Sequence, residues 1–445
     1  MLGQDLLLET AADLVQRCRA DETQVLIHAG DSQLTRFAEN TIHQNVAISN
    51  VRVQVQMTLG RRVGLASTNS LEADRLTELL RQVRTITRNS PEDPQWVSLP
   101  GPQRYQPVDC LDEATASATP HQRAEAIRRL VLAAEAEQCR CAGAFATNVG
   151  ELVIANSHGL SGYHAATDAD FNTVVTCEDG SGAAHGISNS IAGVDVAALG
   201  ERAIRTCLDS RNPKPLAAGE YRVVLMPEAV GSMVAYLAYM GLGAKAVAEQ
   251  RSFMCGKMGA KITGEAVTLW DDGLDPAGMP MPFDFEGVAK APVSLIEKGV
   301  AKGVVYDTRT AGEAHRTSTG HGTGAGSTSG PLPMNLFLEA GEDTLEQMIA
   351  TCEAGLLVNR FHYVNIAERM STQITGMTRD GVFWIEDGRV RHPVRNLRFT
   401  QSVLEALNGI DAVGTSRRLV GGLIGAVCVP PLRLSRFRFT GTTEF

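Results

Sequence analysis

One order of elements, helix then long alternating strands then hairpin then helix, occurs twice in the first 212 residues. The first copy opens on a helical stretch at about 3–20 and continues as alternating strands through "TQVLIHAGDSQLTRFAENTIHQ". A hairpin, "VRVQVQMTLGRRVGLASTN", and a helix, "LEADRLTELLRQVRTI", complete it. The second copy opens at "TPHQRAEAIRRLVLAAEAEQ", where Thr119 suits an N-cap and Pro120 the first helical position. Then come "ELVIANSHGLSGYHAATDADFNTVVTC", a hairpin of small residues around "EDGSGAAHGIS", and the helix "VDVAALGERAIRTCL". Alternation of Val51, Val53, Val55, Met57 and Leu59 marks a strand with one buried face. Residues 1–212 therefore read as an α+β unit with an internal duplication, its halves joined by the Pro-rich "SPEDPQWVSLPGPQRYQP".

"RNPKPLAAGEY" (211–221) breaks any helical pattern and reads as a linker. Beyond it, "YRVVLM" is a buried strand and "EAVGSMVAYLAYMGLGAKAVAEQ" a helix, followed by many short strands and two further helices. Asp380-Gly381 and Asp387-Gly388 flank "VFWI" as hairpin turn dipeptides. The fold class expected is α+β: a duplicated N-terminal unit over 1–212 and, over 213–445, a mostly antiparallel sheet domain with a few helices.

The formal charge of −9 over 445 residues argues against a chain built to grip phosphate backbones. No run of 18 apolar residues exists, so no membrane span is expected. The start, "MLGQDLLLETAADLVQRCRADE", carries acids where a signal peptide needs basic residues. Nine scattered cysteines fit reduced thiols in the cytoplasm better than a disulfide framework. Cys139 and Cys141, one residue apart, have poor spacing for a zinc knuckle.

The Gly-rich segment 312–341, "GEAHRTSTGHGTGAGSTSGPLPMNLFLEAG", has the backbone to cradle a phosphate but no lysine for a P-loop. His315 and His321 lie in it without a fixed geometry or a third ligand. Read plainly, it is a loop entering the strand "MNLFLEAG", with a substrate-facing flap as the functional alternative. No Gly-x-Ser-x-Gly elbow is present, and Ser161 and Ser181 sit in turn-like pairs.

"LMPEAVGSMVAYLAYM" (225–240) poses the sharper question. Two histidines five apart on a helix would diverge by roughly 140° at ~100° per residue, so such a metal helix needs a distortion, and Gly231 sits where one would fall. But Pro227 and Ser232 occupy the two ligand places. Glu228 stands where a general base would polarise metal-bound water. Without a metal, a surface glutamate in the first turn simply favours the positive end of the helix dipole.

At this point the chain resembles the TldD/PmbA family, the proteins labelled modulators of DNA gyrase. The resemblance rests on "RFAENTIHQNVAISNVRVQV", the "PEAVGS" junction, "PMNLFLEAGEDTLEQMI", "GLLVNRFHYVN", "TGMTRDGVFWIEDGRVRHPVRNLRFTQSVLEAL" and "PPLRLSRFRFTG", in that order. Catalytic members carry His-Glu-x-x-x-His at this helix and a third zinc ligand, a cysteine, in a Gly-Thr-Cys context. Here those positions read Pro227, Ser232 and, after Gly414-Thr415, Ser416. The chain thus resembles the TldE/PmbA branch, which lacks the metal motif. The resemblance implies a subunit without zinc of its own and a zinc-bearing TldD-type catalytic partner. It also implies extended or unfolded peptide as substrate, and a homodimer as a further possible assembly. Peptide would bind by strand addition, with His315, His321, Asn335, Leu336 and Phe337 as the candidate groove. Two rivals stand beside this: an autonomous peptidase using His315, His321 or Cys428 for a different metal site, and a non-enzymatic regulatory or peptide-binding protein. The acidic balance argues against nucleic acid as a partner.

Overall fold

The structure is a computed structural model and describes residues 1–443. The first copy of the repeat comprises α1 (Gln4–Cys18), β1 (Glu22–Ala38), β2 (Thr41–Leu59), β3 (Arg62–Thr68) and α2 (Ala73–Asn89). A one-turn helix, α3 (Glu113–Ala116), leads into the second copy: α4 (Pro120–Ala136), β4 (Arg140–Asn156), β5 (Ser161–Cys177), β6 (Gly180–Ser188) and α5 (Val196–Asp209). Each copy is an antiparallel meander, and the two meanders join through β1 and β4 into one six-stranded sheet of order β3-β2-β1-β4-β5-β6. The helices cover one face. Leu7, Leu14, Leu79 and Val83 pack on Val25, Ile27, Val53 and Val55, while Ile127, Leu130 and Ile204 pack on Phe145, Phe171 and Val175. Thr119 caps α4 in a full capping box with Gln122, and Pro120 occupies its first turn.

A glycine at the third residue of β3 and of β6 lets the closing helix of each copy come down. A Cβ on Gly64 would lie 2.6 Å from the Thr87 amide nitrogen of α2, and one on Gly182 would lie 2.1 Å from the Ala203 carbonyl of α5. At the other extreme, residues 41–52 of β2 pair with β1 alone, because β3 covers β2 only from Val53 onward. That stretch is largely solvent-exposed, Ile42 and Ile48 included, and leaves a free sheet edge.

Beyond residue 212 the elements are β7 (Gly219–Leu225), α6 (Pro227–Gly241), α7 (Ala244–Ala248), β8 (Leu269–Asp271), β9 (Val293–Glu297), β10 (Val300–Ala301), α8 (Thr308–Glu313), β11 (Asn335–Leu338) and α9 (Leu345–Ala350). They continue as β12 (Ala354–Glu368), β13 (Gln373–Glu386), β14 (Arg389–Pro393), β15 (Leu397–Ser402), α10 (Val403–Asn408), β16 (Ile410–Val413), β17 (Arg418–Gly422), β18 (Gly425–Val429) and β19 (Leu432–Thr442). One sheet runs β10-β9-β8-β11-β18-β17. The other runs β12-β7-β19-β15-β13-β14 and closes on itself through β12–β13, so its inner strands have no edge. Pairing is mostly antiparallel, with β7–β12 and β11–β18 parallel. The class is α+β, as the sequence predicts. α6 contacts β12 of one sheet and β17 and β18 of the other, which is why it is apolar all round.

One turn expectation is corrected. Asp387-Gly388 does form the β13–β14 hairpin, but Asp380-Gly381 lies inside β13. Both residues take positive φ (53° and 116°) at a bulge opposite β12, where Arg360 Nε donates to Asp380 at 2.7 Å. A dipeptide suited to positive φ serves a bulge as well as a turn. Among the described residues, no helix is long and apolar enough to cross a membrane.

Candidate functional site

β7 delivers the chain to α6 from the centre of the molecule. The Met226 amide donates to the Val358 carbonyl at 3.0 Å, and Pro227, with no N–H to satisfy, takes the first helical position. Glu228, the single charged residue of α6, follows. It is not the surface glutamate expected: its side chain is 11% exposed and faces α5 of the N-terminal unit. Oε1 accepts from Arg202 Nη2 of α5 and from Arg418 Nη1 of β17, both at 3.0 Å. Oε2 is buried without a protein partner. Burial pushes the Arg202 guanidinium below its ordinary value; the Glu228 charge opposes that and Arg418 adds to it. One carboxylate thus ties the second copy of the repeat to both the core helix and the edge of a C-terminal sheet.

The positions that the resemblance assigns to zinc do not fit that ion. Pro227 is buried and offers no donor atom. The Ser232 hydroxyl donates back to the Glu228 carbonyl at 3.0 Å, and Ser416 is exposed in the turn before β17. Two guanidiniums already hold the carboxylate, and a third cation beside them would meet their charge. Gly231 marks no distortion; α6 runs unbroken, and a Cβ there would come within 3.2 Å of Val420. It is small because β17 packs against it.

Beside Glu228 lies a cavity of about 290 Å³, lined also by Asn172, His185, Asn359 and Arg360. His185 Nε2 sits 3.2 Å from Asp170 across β5 and β6, and Asn359 donates to the Ala183 and Asp380 carbonyls. The cavity is walled by both units, and Val174, Ala183 and Ala184 line it between the polar groups, while Arg202 and Arg418 meet Glu228 beside it. Sequence reading missed Arg202, Arg418, His185 and Arg360. Arg418 stands two residues beyond Ser416, but nothing in its neighbourhood signals that it points at Glu228.

The Gly-rich segment is placed differently from the expected groove. His315 is exposed, at φ 52°, just past α8, whereas His321 is sealed inside. His321 Nε2 lies 2.8 Å from Asp271 Oδ1, both side chains fully buried, and the Asn335 amide donates to the other Asp271 oxygen at 2.7 Å. Burial and the nearby Lys290 charge push His321 below its ordinary value. Burial by itself would raise Asp271, but His321, Lys290 and the Asn335 amide outweigh it and hold the carboxyl low. The pair staples the loop to β8. Asn335, Leu336 and Phe337 belong to β11, a buried strand paired with β8 on one side and β18 on the other, so strand addition there is not available. Phe337 stacks on Trp270, and the Arg417 guanidinium sits 5.5 Å from both ring centres. Cys428 is buried in β18, its thiol pushed up by burial. Among the described residues no cluster of three metal-ligating side chains includes Glu228, His315, His321 or Cys428. The tip of the Gly-rich loop, with Leu65, Trp96 and Glu286, does line a cleft of about 470 Å³.

Residues 218–441 match the model of the PmbA/TldA metallopeptidase C-terminal domain, and residues 113–211 that of the central domain. Metalloprotease PmbA of Escherichia coli O157:H7 is 22% identical over 466 aligned positions, covering 96% of this chain and 95% of that one. A metalloprotease of Methanothermobacter thermautotrophicus is 27% identical over 237 residues, 52% of this chain; the chain spans about half (51%) of that relative's length. TldE of Thermococcus kodakarensis superposes with a TM-score of 0.88 at 22% identity, covering 98% of this chain and 99% of that one, which establishes a shared fold.

Proposed function

This chain belongs to the PmbA/TldD metallopeptidase family, and on that premise we propose that it is the non-catalytic, TldE/PmbA-type subunit of a peptide-processing assembly. The zinc and the base that activates water reside on a TldD-type partner. This chain supplies part of the wall around an extended or unfolded peptide. The observation that carries the reading is the state of Glu228. A general base needs a free carboxylate beside a metal-bound water, and here two guanidiniums hold one oxygen of that carboxylate at 3.0 Å, while the helix positions on either side of it, Pro227 and Ser232, carry no imidazole or thiolate. With β11 closed on both edges, residues 41–52 of β2 offer an edge open to strand addition.

Mixing tests it. The chain alone, with zinc supplied, should leave an unstructured peptide intact, and addition of a TldD-type subunit should bring both a complex and cleavage. Proline at Ile48 should weaken that complex or the peptide's KM while leaving the fold. Hydrolysis by this chain alone, dependent on a stoichiometric ion, would make it an autonomous peptidase instead.

A further inference from the structure

Three thiols distant in sequence meet in the second copy of the repeat. Cys139 precedes β4, Cys177 ends β5 and Cys207 lies near the end of α5. All three are buried, and their sulfurs lie within 4.8 Å of one another, Cys177 and Cys207 at 3.0 Å. The backbone around them builds this convergence. A Cβ on Gly180 would stand 2.4 Å from the Cys207 carbonyl oxygen, and one on Gly182 would stand 2.6 Å from the Cys207 nitrogen, so only glycine lets α5 bring Cys207 down onto the sheet. On the opposite side Asn40 brackets the segment that carries Cys139. Its Nδ2 donates to the Cys139 carbonyl at 3.0 Å and its Oδ1 accepts the Cys141 amide at 2.7 Å. The thiols have no strong partner elsewhere: the Glu137, Gly180 and Cys207 carbonyls lie 3.5–3.8 Å from the sulfurs. Just outside are the exposed acids Glu137, Glu178 and Asp179, which favour approach of a cation.

We propose that Cys139, Cys177 and Cys207 form a three-thiolate binding site for a soft monovalent d10 ion of the copper(I) class. Thiolate sulfur selects soft ions. With metal–sulfur bonds of about 2.3 Å, a trigonal ion spaces its sulfurs about 4 Å apart. That spacing fits inside the radius that already contains all three, with Cys177 and Cys207 parting by about 1 Å. Among the described residues no fourth His, Cys, Asp or Glu donor joins the cluster, whereas a structural zinc takes four ligands. Uptake exchanges three S–H protons for one ion and involves no change of oxidation state. The site shares no ligand with the Glu228 junction and does not depend on the peptidase reading.

The test is titration of the reduced, chelator-washed full chain with copper(I) in competition with a chromophoric copper(I) chelator, followed by copper X-ray absorption. One ion per chain is expected, with three sulfurs at about 2.3 Å. Affinity should fall at least tenfold in Cys139→Ala and in Cys177→Ala, the latter the least buried of the three. It should be unchanged in Cys141→Ala, a neighbouring buried thiol outside the cluster. The wild-type absorption spectrum needs no variant, so a poorly folding mutant does not shelter the idea. Uptake no tighter in wild type than in Cys177→Ala, a two-sulfur spectrum, or preference for zinc over copper(I) would each overturn it.

Discussion

Asp271 and Glu228 are both held inside the protein by side-chain partners, and they serve opposite ends. Asp271 and His321 are sealed at zero exposure within the C-terminal unit, closing a Gly-rich loop onto its own sheet. Glu228 lies between the two units, gripped by Arg202 from one and Arg418 from the other, with those guanidiniums 25% and 37% exposed. Water decides what each is worth. A sealed carboxylate that loses its hydrogen-bond partner finds no water to replace it, while a half-solvated one lets water take over part of the role. The first is therefore a folding device, and the second a joint where one unit meets the other.

The largest effect should come from His321→Ala. Removing the imidazole takes a buried hydrogen-bond partner from Asp271 and leaves a cavity, and urea unfolding should show a loss of about 2–4 kcal/mol. Acid should separate the two sites next. His321 is held below its ordinary value, so the unfolded chain, titrating near ~6.5, takes up the proton first. Its contribution is complete above about pH 6.5 and is lost as pH falls through the depressed native value. Comparing unfolding free energies of wild type and His321→Gln from pH 7.5 to 5 should show a shallower slope in the variant. Glu228→Gln should cost less, about 1–2 kcal/mol after allowing for solvent. The smallest loss should follow Arg418→Ala, about 0.5–1 kcal/mol, with a double-mutant cycle against Glu228→Gln giving non-additivity. Full additivity would mean that the 3.0 Å contact has no energetic consequence.

What was legible in the sequence followed from local chemistry. Period-2 alternation at Val51, Val53 and Val55 and the Thr119-Pro120 start are local signals, and the structure has a strand at the first and a capped helix start at the second. Strand partners were not legible. "MNLFLEAG" looks like an available strand, but whether its edges are free depends on β8 and on β18, some ninety residues downstream in the chain. The site divides the same way. Pro227, Glu228 and Ser232 stand within six consecutive residues, whereas Arg202 and Arg418 approach Glu228 from 26 and 190 residues away. Cys139, Cys177 and Cys207 look scattered until the glycines of β6 let α5 descend.

The most direct measurement is peptide hydrolysis by a TldD-type subunit mixed with either the wild-type chain or its Glu228→Gln variant, at a temperature where both remain folded. If Glu228 is a joint and not a base, turnover of the two mixtures should agree within about twofold, and neither chain alone should cleave with zinc present. Cleavage by the wild-type chain alone, abolished by Glu228→Gln, would contradict the account.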